Sequence, residues 1–458
     1  MGKKITFWPA LLTAIGMVIG SGIFFRASTI LEYSNGNITS ALLGWITLGI
    51  TMIFAGLCLS LLAQHTTEEG GTIGYMKEVF GKRAAFITGW FETIIYVPVL
   101  TSILSIIAAR YSFQIAGYDI NAINPLYIHC LAVVYILITF GFNCLSYKFA
   151  AYFSSVATVI KLLPIILFGV LGVVNMDTSI IAQDAHTMTT ADFTGPLLSM
   201  AFAFAGWHVA ASMARDMENP QRDLSRVLAI NLIIVTVAYI FYFFGISMLM
   251  DVDQIRDLGT AHLGVIADNV LGSFGSKLVL LCVVMSILGT LNAKFIAGFK
   301  YNHALAENND LPYAKTFTKD SKFKTSINAG CITLVAAAIW FTFFTIQAVS
   351  KFHATPEAID AGQYAFSGIT FDDIPIMLVA VEIIVLLVAA SIIARRNNYG
   401  IFRTYIFPLI GAVGQFFILV SFANTNDKWV LYTIVSIIII LFGFVIKMWA
   451  DKVNKAKA

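Results

Sequence analysis

Gly16-Met17-Val18-Ile19-Gly20-Ser21-Gly22-Ile23-Phe24 lies inside the first long apolar run of the chain, where a membrane-crossing helix should be most continuous. Three glycines and a serine interrupt it instead. Lipid offers no water to unpaired backbone groups, so a break at that depth is tolerated only where protein or an aqueous cavity surrounds it. Discontinuous helices at the midplane are how transporters aim backbone dipoles at a small charged solute. The run therefore reads as half of a solute site. Gly16 and Gly20 also make a small-xxx-small pair suited to close helix packing, and this stretch alone leaves both readings open.

Composition sets the wider frame. The 458 residues are 58% hydrophobic and 12% charged, with a mean hydropathy of +0.82. Soluble domains carry about a quarter charged residues, so the chain is expected to be an all-α, polytopic membrane protein. No basic stripe interleaved with aromatics supports nucleic-acid binding. Cys58, Cys130, Cys144, Cys282 and Cys331 fall within or beside apolar runs without CxxC spacing, and read as buried small hydrophobes. The seven histidines are scattered without HExxH spacing, which argues against a metalloenzyme; no cofactor or metal is expected. Rings of pore-lining polar residues, the mark of a channel, are lacking.

Met1-Gly2-Lys3-Lys4 superficially resembles the start of a secretory signal, but the apolar run continues to about Leu31 with no A-x-A-like cleavage site. A retained first helix is the expectation. Gly2 and Thr6 fit a myristoylation start, an anchor that a dozen spans would make redundant.

Segments of roughly 20 apolar residues are span candidates. They fall near 6–31, 38–63, 84–112, 126–147, 150–174, 194–217, 224–249, 275–304, 326–348, 372–394, 404–423 and 428–449, about twelve in all. Polar punctuation such as Asn35-Gly36-Asn37, Glu218-Asn219-Pro220 and Asn309-Asp310-Leu311-Pro312 separates them. With alternating sides, 21 of the 29 Lys and Arg residues gather on the side of the termini and six on the other. That asymmetry predicts a multi-pass protein of the cell membrane with both termini cytoplasmic. Lys161 and Lys294 belong to neither side, because they lie inside spans.

Span six carries a second interruption, Phe202-Ala203-Phe204-Ala205-Gly206-Trp207. Matching breaks in corresponding spans are expected of an inverted repeat. The simplest division is a first five-helix repeat over 1–176, an inverted second over 177–396, and two additional helices with a cytoplasmic tail over 397–458.

These residues resemble the amino acid–polyamine–organocation superfamily. Val18-Ile19-Gly20-Ser21-Gly22-Ile23-Phe24 is similar to its first-span signature. Phe202 to Trp207, followed by Asp216-Met217-Glu218-Asn219-Pro220, is similar to the sixth-span pattern of the L-type amino acid transporter branch. Gly70-Gly71-Thr72-Ile73-Gly74-Tyr75 with Phe80-Gly81, Ile160-Lys161-Leu162-Leu163-Pro164, and Leu291-Asn292-Ala293-Lys294 extend the similarity in the same order along nearly the whole chain. The resemblance implies a LeuT-like fold with helices 1 and 6 discontinuous. It also implies sodium-independent amino acid transport, often by obligatory exchange. Ala293, Ser326, Asp216, Lys300 and His208 depart from the branch's usual residues, which bears on the substrate's side chain more than on the mode of transport.

A zwitterion entering the bilayer centre needs replacements for the water around both its charges. N–H groups of the half-helix after Gly20 suit the carboxylate. Gly20 and Gly22 let that backbone come close, Ile19 belongs to the same break, and Ser21 adds a hydroxyl. Carbonyls where the first half of span six ends, around Ala203, Phe204, Ala205 and Gly206, suit the ammonium. Phe202 is expected to cap the bound solute and Trp207 to anchor a second half-helix; ordinary aromatic packing is the alternative for both.

Lys161 lies about eleven residues into span five, roughly 16 Å deep. An ammonium there is costly by at least about 2.5 kcal/mol and needs a partner. The expected partners are carbonyls between Gly16 and Ile19 and a group of span eight, with the ammonium in place of a sodium ion. Asn292 is a candidate neighbour of the site or of that ammonium. Lys294 is read as snorkelling, as one member of a structural pair, or as a gate. Glu92 and Glu382 are buried acids that carry a proton, sit neutral and hydrogen-bonded, or pair with a lysine. His208 contacts substrate, titrates, or is satisfied by a carbonyl. Gly70 to Gly81 reads as an amphipathic element sealing against the first half-helix.

The expected activity is exchange of small neutral L-amino acids such as serine, threonine or alanine, with proton-coupled symport as the alternative. The expected partners are the amino acid and the lipid bilayer. No external cysteine suggests linkage to an accessory subunit.

Overall fold

The computed structural model describes residues 6–20, 22–66, 71–145, 147–176, 187–210, 213, 217–319 and 326–456. These residues form helices and no strand. Eleven helices are long and apolar enough to cross a membrane. The twelfth expected span is the sixth, which fails that length test because its continuous helix is only Leu197–Ala203.

The first span is three pieces: α1 (Phe7–Val18), α2 (Gly22–Phe25) and α3 (Ala27–Tyr33). Helix α4 (Ile38–His65) follows, capped by the Asn37 side chain, which accepts from Ser40 N. Next come the short α5 (Thr72–Phe80) and the third span, α6 (Lys82–Phe91) running through a π turn (Glu92–Tyr96) into α7 (Val97–Ile115). Helix α8 is Pro125–Leu145. The fifth span divides at Lys161 into α9 (Tyr147–Ile160) and α10 (Leu162–Val174). Pro164 has no N–H to offer the preceding turn, which explains the weak point.

After the short α11 (Thr190–Thr194) comes α12 (Leu197–Ala203), then α13 (Pro220–Leu249), α14 (Val252–Leu258) and α15 (His262–Glu307). Gly272 interrupts α15, so the eighth span itself starts beyond it. The remainder is α16 (Ala314–Phe317), α17 (Ile327–His353), α18 (Pro356–Asp360), α19 (Asp373–Arg396), α20 (Phe407–Thr425) and α21 (Trp429–Ala456).

The third span is the most enclosed and α21 the most peripheral. Helix α7 packs along α15 and α17, α4 along α13 and α20, and α10 along α13. Small residues set these crossings: a Cβ at Gly172 would lie 2.2 Å from Gly245 Cα, so α10 and α13 touch backbone to backbone. Helix α1 leans on α13 and α9. The two interrupted segments thus meet inside a shell of continuous helices.

His208–Ala210 and Met213 are in 3-10 geometry, and the rest of the stretch expected to hold the second half-helix of span six, 211–212 and 214–216 with Asp216, lies outside the described residues. One expectation differs in detail. The amphipathic element is α5, buried over Thr72–Met76, and its principal partners are α6 and α19 rather than α1. Gly70 lies outside the described residues. Only Glu78 and Phe80 are exposed on α5, and the half-buried Lys77 reaches Asn308 Oδ1 through Nζ at 3.3 Å, so helix packing outweighs solvation there.

Candidate functional site

Helix α1 ends at Val18, because Ile19 turns extended (φ −64, ψ 100) and Gly20 continues the bend. The break leaves carbonyls at the negative end of the α1 dipole. Lys161 reaches exactly these groups from the joint between α9 and α10. Its Nζ donates to Gly16 O at 2.8 Å and also to Ile19 O. The ammonium is fully buried, and charge-assisted bonds to backbone oxygens are what make that position tolerable.

The glycines in the first break are also packing positions. A Cβ at Gly16 would lie 2.2 Å from Thr158 Oγ1, and one at Gly20 would lie 3.2 Å from Thr290 Oγ1. A Cβ at Gly22 would lie 2.6 Å from Ala203 Cα. The start of α2 therefore touches the end of α12, and the two readings of the glycines, packing and interruption, hold together. Ser21 lies outside the described residues.

Beyond α12 the chain turns through Phe204, Ala205, Gly206 and Trp207. Gly206 takes φ +108, and a Cβ there would lie 2.7 Å from Met17 O and 3.4 Å from Lys294 Nζ. Phe204 is buried against Trp45 and Tyr239, with ring centroids 5.8 and 5.3 Å away. Trp207 is buried beside α4, near Gly56.

On the side of the break away from the termini, Phe202 packs edge-on to Phe25 at 5.5 Å. The Arg26 guanidinium lies 4.4 Å over the Phe202 ring. Arg26 is itself bonded to Asp372 and lies 3.8 Å from Asp373, at the start of α19. Phe25, Arg26 and Phe202 together lid that side.

Both breaks are enclosed, and the Lys161 ammonium sits on the carbonyls of the first. A family model for amino acid permeases matches residues 5–457. The chain belongs to the amino acid permease family. It is a multi-pass membrane transporter of amino acids and not an enzyme.

The permease is similar to the serine/threonine exchanger SteT of Bacillus subtilis (strain 168), 29% identical over 313 residues, covering 68% of this chain and 70% of that one. It is 25% identical over 316 residues to the cystine/glutamate transporter of Homo sapiens, covering 68% and 62%. Against the large neutral amino acids transporter small subunit 2 of Homo sapiens it is 24% identical over 335 residues, covering 68% and 59%. The permease thus spans less than two thirds of the length of these last two relatives.

Several residues around the permease's two breaks carry no sequence signal. The Tyr239 hydroxyl, on α13, lies 2.9 Å from Ala203 O and 3.1 Å from Val18 O, donating to one or the other. Arg26, Asp372 and Asp373 are brought together from opposite ends of the chain. Asn292, by contrast, donates to Ser154 Oγ at 2.8 Å and accepts from Asn143 Nδ2 at 2.7 Å, which joins α15 to α9 and α8.

A second polar group lies beside the span-six break. Glu92 opens the π turn, His208 follows Trp207, and Glu382 sits midway along α19. One donor atom from each falls within 4.8 Å of the others. His208 Nε2 is 3.3 Å from Glu92 Oε1. Lys294 interacts electrostatically with Glu92 and donates to the Tyr96 hydroxyl at 3.2 Å. All are buried. The π turn is what swings Glu92 toward His208, and it leaves Ile94 O free to accept from Trp340 Nε1 at 2.7 Å.

Proposed function

We propose that the permease exchanges small neutral L-amino acids across the cell membrane by alternating access, without sodium. The observation carrying this reading is the Lys161 ammonium held on Gly16 O and Ile19 O. A fixed positive charge occupies the negative end of α1, so no dissolved cation is needed to order the break. The substrate's carboxylate is assigned to the backbone after Gly20 and its ammonium to the carbonyls around Ala203 to Gly206. Ser21 supplies a hydroxyl in this scheme, and Phe202 covers the solute. The small residues Ala203, Ala205 and Gly206, with no acidic or basic group among them, favour a small neutral substrate in this scheme.

The printed names of the relatives support transport of amino acids and, for SteT, exchange of serine and threonine. The proposed organisation is a repeat over 1–176, an inverted repeat over 177–396 and two further helices over 397–458, with both termini cytoplasmic. A single chain is the proposed functional unit. All five cysteines lie on membrane-crossing helices rather than in the loops between them, which supports that reading.

The test uses purified permease in liposomes. Exchange requires amino acid inside: uptake of labelled serine, threonine or alanine appears with internal amino acid, does not change when sodium is replaced by choline, and is lost from empty vesicles. Uptake into empty vesicles driven by an inward proton gradient would replace exchange with symport, the reading that the Glu92, His208 and Glu382 cluster favours. A thermal-shift screen against the twenty amino acids fixes the substrate.

A further inference from the structure

The cluster beside the span-six break contains more acid than its one lysine can balance. Glu92 and Glu382 carry two carboxylates, Lys294 one ammonium, and His208 an imidazole that is neutral unless it takes up a proton. A net charge buried at membrane depth is strongly disfavoured. Neutrality is reached with one added proton, whether a carboxyl or the imidazole holds it. The geometry suits sharing: the three groups converge within 4.8 Å, with His208 Nε2 3.3 Å from Glu92 Oε1. Among the described residues, Glu92 Oε2 and His208 Nδ1 are buried without a hydrogen-bond partner, so the group retains unused donor and acceptor positions.

Among the described residues, the remaining ionisable groups around the cluster are tyrosines. Tyr96 lies on the π turn, Tyr301 on α15 interacts with both carboxylates, and Tyr75 on α5 interacts with Tyr301. All three hydroxyls are neutral in the physiological range, so the balance of two carboxylates, one imidazole and one ammonium stands. The ammonium also repels any second cation from the same space.

The cluster shares elements with the breaks. His208 immediately follows Gly206 and Trp207, whereas Glu92 and Glu382 sit on the third span and α19. Lys294 Nζ lies close to Gly206, whose position is also fixed by Met17 O in the first break. Rearrangement of the span-six break must therefore move His208 relative to both carboxylates. In this structure the breaks and the cluster are buried together.

We propose that Glu92, His208 and Glu382 form a proton-binding site that holds one proton while the solute site is closed and releases it to water when the break opens. The idea rests on the amino acid transport reading, because it makes closure around substrate the event that takes up the proton. Linkage then requires that protons tighten amino acid binding, by up to about tenfold in Kd per pH unit for a single linked proton. The ammonium and carboxylate of a neutral amino acid do not titrate in the neutral range, so the carrier must supply the dependence.

The experiment measures amino acid affinity of the purified permease by calorimetry or scintillation proximity across the neutral pH range. In parallel, an indicator dye in weak buffer follows protons on addition of saturating substrate. The wild type is expected to take up close to one proton and to bind more weakly as pH rises. Glu382→Gln, whatever its affinity, loses both the slope and the proton uptake, because Glu92 and Lys294 then balance alone. Glu92→Gln serves as the second variant if Glu382→Gln does not fold. A wild type that binds amino acid with a flat profile and no proton uptake overturns the inference while leaving the transport reading intact. So does a slope retained in both variants, or binding that collapses on treatment with a divalent-cation chelator. A wild type that binds no amino acid overturns the transport reading first.

Discussion

Tyr239 and Ala203 are joined by a 2.9 Å hydrogen bond that ties the end of α12 to α13, and the same hydroxyl lies 3.1 Å from Val18 O at the end of α1. One side chain on a continuous helix therefore touches the terminus of both interrupted ones. A broken helix exposes carbonyls that lipid cannot satisfy, and a buried acceptor without a donor costs about 1–3 kcal/mol. Tyr239→Phe removes the only hydrogen the side chain offers and keeps its ring against Trp45 and Phe204. The expected outcome is a loss of about 1–3 kcal/mol in stability, read by thermal unfolding of the purified carrier. Slower exchange should accompany it. An unchanged melting curve would mean that water or another group already serves Ala203 O.

Gly206 combines two constraints that a pair of substitutions can separate. Its φ of +108 is strained for any residue with a Cβ, at about 1–3 kcal/mol. A Cβ would also press on Met17 O at 2.7 Å. Gly117 shares the first constraint (φ +89) but has nothing within 4 Å of a Cβ. Gly206→Ala is expected to cut amino acid exchange at least about tenfold, whereas Gly117→Ala loses stability with little change in exchange per folded protein. Equal effects of the two changes on exchange would show that contact between the breaks does not matter.

Much of this architecture can be read from the sequence, because the bilayer enforces it. Twenty apolar residues have few alternatives to a span, and Asn-Gly or Asn-Pro punctuation marks where each stops. The depth of Lys161 follows from counting residues along its helix, and the two breaks follow from small residues where spans should be continuous. What is hidden arises from pairs distant in the chain. Arg26 and Asp372 are separated by 346 positions, and each looks like an ordinary residue at a span's edge. Tyr239 is one of 17 tyrosines, placed in a span with no other polar signal at that point. The π turn that presents Glu92 leaves no mark in composition, since Glu-Thr-Ile-Ile-Tyr continues an α-helical pattern equally well. In span six the sequence marks the break but not its partners: the chain there turns to meet Met17 O of the first break and Lys294.

The lid formed by Arg26 sets an order of effects. Removing one partner of a buried ion pair costs about 3–5 kcal/mol, mostly from the charge left behind. Arg26→Met strands both Asp372 and Asp373 and strips the cation from the face of Phe202. Asp372→Asn leaves Arg26 with Asp373 at 3.8 Å. Arg26→Met is therefore expected to be the more destabilised in thermal unfolding and to release bound amino acid faster in a filter-binding chase. The reverse ranking would place Asp372, rather than the arginine, at the centre of the lid.

Lys161 makes the sharpest claim. Its ammonium is bonded to Gly16 O and Ile19 O, and a hydrogen bond involving a charged group contributes about 1.5–3 kcal/mol. Lys161→Ala deletes both and empties the negative end of α1, so the break loses about 3 kcal/mol or more of ordering, or roughly a hundredfold in the population of its bound geometry. Exchange of labelled amino acid in liposomes should fall by about that factor. Lys161→Arg does not restore it, because a planar guanidinium cannot place one donor between two carbonyls a turn apart as a compact ammonium does. If exchange by Lys161→Ala matched the wild type at equal protein per vesicle, the lysine would be a structural pin for α9 and α10. The case for a built-in charge taking the place of sodium would then fall with it.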